Sequence, residues 1–128
     1  MANKDTIFTP EKRLYKRILA PIGTTALIKN SSGYMDTLYV KDISVVGILA
    51  NGFISTEKYP INTLIDGILL NVPPCELSAY RRISLIINEG KVIHSLIDKV
   101  SKTVCYGIEF TNDSSYVKEI LAGLANKI

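Results

Sequence analysis

Tryptophan is missing from this chain of 128 residues, histidine occurs once and cysteine twice. These scarcities close off several chemistries. Cys75, His94 and Cys105 have no C-x-x-C or comparable ligand spacing, so no metal site is expected. Ser44 is not in a G-x-S-x-G elbow, and no His–Asp partnership is visible for a triad. Neither a P-loop nor a dinucleotide fingerprint occurs. His94 lies in a strand-like run and reads as a surface or internally satisfied histidine, not a catalytic base. The expectation is a protein that is not an enzyme and needs no metal or cofactor. Long apolar runs are also missing. Nothing approaches the ~20 apolar residues of a membrane span. Met1-Ala2-Asn3-Lys4-Asp5 carries no secretory apolar segment. A cytoplasmic protein with both cysteines reduced is therefore expected. If it signals, it does so by binding.

Aromatic residues make up 8% of the chain and the formal net charge is +3, from 15 basic and 12 acidic residues. A barrel for single-stranded nucleic acid would interleave aromatic and basic residues on one sheet face. This chain has too little of either, so DNA and RNA are not expected partners. The Tyr80-Arg81-Arg82 triplet reads as a loop or strand start with exposed charge. The positive charge is instead concentrated at one end. Lys4, Lys12, Arg13, Lys16 and Arg17 are opposed there only by Asp5 and Glu11.

One domain suits this length, and 47% hydrophobic residues can fill its core. Residues 1–20, punctuated by Pro10 and Pro21, read as an extended arm. Residues 1–12 are its flexible part, and 13–128 form a single domain. Strand-like patterns follow at 25–29, 37–41, 47–55, 68–72, 83–88, 91–99 and 104–110. Glu89-Gly90 reads as the turn of a hairpin joining 83–88 to 91–99. The stretches 57–66 and 73–82 read as long surface loops. The period then changes. Val117, Ile120, Leu121, Leu124, Ala125 and Ile128 recur at helical spacing, preceded by capping residues in 112–115. The expected fold is mainly β: a six-stranded antiparallel barrel or rolled sheet with a C-terminal helix.

Two polar signals carry the chemistry. Arg13-x-x-x-Arg17 supplies two guanidinium forks. Asp42-x-Ser44-x-x-Gly47 begins 25 residues after Arg17, where a strand runs into a turn. An arginine fork donates two parallel hydrogen bonds to a phosphate or to the O6/N7 edge of guanine. A carboxylate only accepts, which suits the N1–H and N2–H pair of guanine. In an extended segment positions 42 and 44 share a side, so carboxylate and hydroxyl would face one ligand together. A glycine at 47 would supply positive φ or admit a close neighbour. Lys12 and Lys16 add charge beside the forks. Tyr15 either packs over a bound base or anchors the arm.

In order and spacing, these two signals resemble those of the PilZ domain family, bacterial receptors for cyclic di-GMP. Gly107-Ile108-Glu109-Phe110 is similar to the family's last-strand G-x-x-F pattern, and a terminal helix follows. The likeness spans roughly residues 11–127, although 60–80 fits the family's strand spacing poorly. It implies a six-stranded antiparallel barrel with a C-terminal helix. It implies that Arg13 and Arg17 grip phosphates and guanine, that Asp42 and Ser44 read guanine, and that Gly47 shapes the turn. The implied function is a receptor that binds cyclic di-GMP, changes conformation and signals to an unidentified downstream protein. An adaptor of the same fold, acting by protein contact without nucleotide, is the alternative.

Overall fold

The computed structural model describes residues 17–29, 33, 35–53, 59–76, 80–111 and 115–125. Among them are nine strands and one helix. The strands are β1 (Ile18–Leu19), β2 (Thr25–Lys29), β3 (Met35–Ile43), β4 (Gly47–Phe53), β5 (Leu64–Ile65), β6 (Ile68–Val72), β7 (Ile83–Ile87), β8 (Gly90–Asp98) and β9 (Thr103–Phe110). The helix α1 is Ser115–Ala125. The strands form one sheet in the order β5-β8-β9-β4-β3-β2-β6-β7, with β1 also paired to β3. Every ladder is antiparallel.

The sheet is not closed into a barrel, and it has more strands than the six expected. Among the described residues β7 pairs only with β6, and β5 only with β8, so no ladder joins the two ends of the strand order. The expected hairpin at Glu89-Gly90 is therefore absent. That link is a corner between strands with different partners. Gly90 is there for space: a Cβ would come within 2.8 Å of both the Ile108 and the Ile68 side chains. Two short strands lie in stretches read as arm and loop, β1 and β5.

The strands alternate as their sequences suggest. In β6 Ile68, Leu70 and Val72 are buried, and in β9 Val104, Tyr106 and Ile108 are. Each fully buried aliphatic side chain contributes about 1.5–3 kcal/mol. In the helix Val117 and Leu121 are buried one turn apart and Ile120 packs beside them, closest to β7. The capping residues expected at 112–114 lie outside the described residues. The β8–β9 turn is held by Asp98, whose carboxylate accepts from the Val100 and Ser101 amides at 2.9 and 3.3 Å. These bonds, Ser101's first, hold its carboxyl below the usual range.

Tyr59 enters the core as a polar clamp. Its phenol donates to Asp36 Oδ2 at 2.5 Å, and its amide donates to the Tyr106 hydroxyl at 3.2 Å. The two rings meet edge to face at 5.7 Å. Tyr59→Phe keeps the ring and removes the charge-assisted bond. A loss of about 1–2 kcal/mol is expected, read as a lower urea midpoint at unchanged slope; an unmoved midpoint would show the bond to be idle.

Candidate functional site

β3 buries Leu38 and Val40 and would bury Asp42 next if its alternation continued. It does not continue. Val40 pairs with Ala50 and Asp42 with Leu49, which leaves Lys41 as an extra residue, a β-bulge. The bulge turns Ile43 into the core and leaves Asp42 half-exposed on the outer face. The sheet thus gives up one regular rung and gains an outward carboxylate.

The turn after β3 is built by Ser44. Its amide donates to the Gly47 carbonyl at 2.9 Å, and its Oγ accepts the Val46 amide at 3.2 Å. The hydroxyl also points its proton toward the Gly47 carbonyl, at 3.4 Å. Ser44 is only 4% exposed. A hydroxyl has one donor and two acceptor positions, so the turn uses the donor and one acceptor. Its first role is to hold the turn.

Gly47 serves close approach, not positive φ. The positive-φ glycines among the described residues are Gly23, Gly33 and Gly67. At Gly47 a Cβ would run into the Ile108 carbonyl oxygen and press on Glu109 Cα at 3.3 Å. The Phe110 amide donates to the Val46 carbonyl at 2.7 Å, which seals the turn against β9.

β1 brings the arginine to this turn. Ile18 pairs with Ile43 and Leu19 with Asp42, so Arg17 stands level with Ser44. The Ala20 amide fixes this register by donating to the Lys41 carbonyl at 2.8 Å. Arg17 is exposed and, with Asp42, Ser44 and Gly47, lines a cleft of about 740 Å³. Four of the five expected site residues therefore share one cavity. Arg13, the fifth, lies outside the described residues, as do Lys12, Tyr15 and Lys16.

The cleft has a second wall that sequence reasoning missed. Ile93 and His94 of β8 and Glu109 of β9 face Arg17 and Asp42 across Leu49 and Gly107. Two residues before Gly107 on β9, Cys105 is half-buried and free. Burial pushes its thiol up, with Lys41 opposing and Asp42 adding to the rise. A thiol held protonated is a poor nucleophile. No three His, Cys, Asp or Glu among the described residues are placed to hold a metal, and none of their helices is long and apolar enough to cross a membrane.

Among solved structures, the chain is similar to YcgR from Escherichia coli in complex with c-di-GMP. The TM-score is 0.64 at 18% identity, over 86% of this chain and 42% of that one. The chain has a PilZ-like fold. Its match to the PilZ domain of the same YcgR covers 91% of this chain and 90% of that domain, with a TM-score of 0.60. The K. pneumonia MrkH–c-di-GMP complex matches at TM-score 0.66 and 13% identity, over 86% of this chain and 49% of MrkH. The chain thus spans under half the length of YcgR and about half that of MrkH. No family model and no curated protein matches the sequence. The PilZ-like likeness is carried by backbone geometry.

Proposed function

We propose that this protein is a receptor for cyclic di-GMP, without enzymatic activity. The observation that carries the reading is the meeting of Arg17, Asp42, Ser44 and Gly47 at one cleft of a PilZ-like sheet. Similar structures solved with c-di-GMP support it. The Asp42 carboxylate accepts from the guanine N1–H and N2–H pair, and the Arg17 fork takes a phosphate or the O6/N7 edge. Four residues upstream, Arg13 takes the remaining anionic group. In this reading residues 13–128 are a single domain and the segment before them carries further cations. Two phosphates neutralise the arm's cations and fold it over the cleft, which presents a new surface to a downstream protein.

Calorimetric titration of the protein with cyclic di-GMP tests the reading. A dissociation constant in the micromolar range or tighter is expected. No heat and no competition at low salt would sink it and leave the adaptor reading, in which partner capture ignores added nucleotide.

A further inference from the structure

The sheet carries a second bulge, one rung from the first. Gly107 pairs with His94, but the next residue, Ile108, pairs with Val92. Ile93 is the extra residue, and Ile93 and His94 are both exposed in succession. The ladders set the level. His94 is opposite Gly107, Gly107 opposite Leu49, and Leu49 opposite Asp42. These residues form one row across four strands. Three interstrand steps put the His94 and Asp42 backbones roughly 14 Å apart, with a glycine between them. Regular pairing would need neither bulge. Both re-aim a polar side chain into the same cleft, and bulges concentrate beside functional sites.

We infer that the β8 bulge builds a second ligand-contacting wall and that His94 binds the nucleotide there, donating to a phosphate oxygen or to guanine O6/N7. This rests on the cyclic di-GMP reading and adds a residue that the two sequence signals do not contain. A Cβ at 107 would stand 3.0 Å from His94 Cβ, so glycine there lets the imidazole sit close to the floor. The charged groups that line the cleft with His94 are Arg17, Asp42 of β3 and Glu109 of β9, and Lys91 lies on its own strand. The cleft residues of β4 and both residues of β5 are apolar or glycine and carry no charge. An imidazole gains its charge between about pH 8 and 5, and a cation binds an anionic ligand more tightly. Affinity should therefore rise as pH falls.

The test is calorimetry with cyclic di-GMP at pH 8.0 and pH 6.0, on wild type, His94→Gln and His94→Arg. Wild type is expected to bind about three- to fivefold more tightly at the lower pH, the size of a solvent-exposed charge contact. His94→Gln should hold the weaker affinity at both values and His94→Arg the tighter one. His94 is the only histidine in the chain, so its proton resonance can be followed alone. Ligand should move that titration to higher pH, as reciprocal linkage demands. Equal pH slopes in wild type and His94→Gln, or an imidazole signal indifferent to ligand, would overturn the inference while leaving the receptor reading intact. No binding by wild type at either pH would instead overturn the receptor reading, and this inference with it.

Discussion

Arg17→Ala is expected to weaken cyclic di-GMP binding by about 100-fold, the worth of a charge-assisted bidentate contact near 2.7 kcal/mol. Arg17 is exposed just before the two-residue strand β1 and stands level with Ser44. Its loss should leave thermal stability within about 0.5 kcal/mol of wild type. Arg17→Lys should recover part of the affinity and remain about tenfold weak, because an ammonium keeps the charge but lacks the planar fork. Added salt should shrink the wild-type advantage. Calorimetry beside a thermal melt separates these effects. Wild-type affinity in Arg17→Ala would remove the arginine from the ligand and leave it a solvated cation.

Gly47→Ala should act on the opposite quantity. The new methyl group meets the Ile108 carbonyl, which is backbone and has no rotamer to yield. β4 and β9 must part where Gly47 pairs with Glu109. Overpacking of this kind costs about 3 kcal/mol, roughly 10 °C of melting temperature in a domain this size. Gly123→Ala is the internal comparison. Gly123 lies exposed in α1 with nothing near its absent Cβ, and alanine there should stabilise by about 0.5–1 kcal/mol. A Gly47→Ala melt that overlays wild type would mean that the two strands separate freely.

The strands were legible where local pattern decides them. The runs at 25–29 and 68–72 coincide with β2 and β6, because alternation and flanking turn residues are local properties. The pairing of 83–88 with 91–99 was not legible. A glycine after a polar residue looks the same in a hairpin and at a sheet corner; only the crowding of Gly90 by Ile68 and Ile108 tells them apart. β1 is two residues long, too short to show any period. Closure into a barrel depends on whether distant edges meet, which no window of sequence contains.

The site divides in the same way. That Arg17, Asp42, Ser44 and Gly47 come together at one cleft was legible through spacing and side-chain chemistry. Their roles were less so: Ser44 spends most of its hydrogen-bonding capacity on the turn, and Gly47 is needed for contact with β9. His94 read as an ordinary strand histidine because its exposure follows from a bulge, and a bulge exists only relative to a partner strand. The one available signal was Gly107, a glycine in the middle of an otherwise bulky strand.

The extra residue in β3 has a genetic corollary. Losing the single codon for Lys41 would tidy the ladder with β4 and change little else: Asp42 would still face Leu49 and Ile43 would still face Ile48, so the acid would stay outside and the isoleucine inside. Keeping Lys41 and drawing it into register opposite Leu49 is the change that would drive the acid among aliphatic neighbours and swing Ile43 out to water.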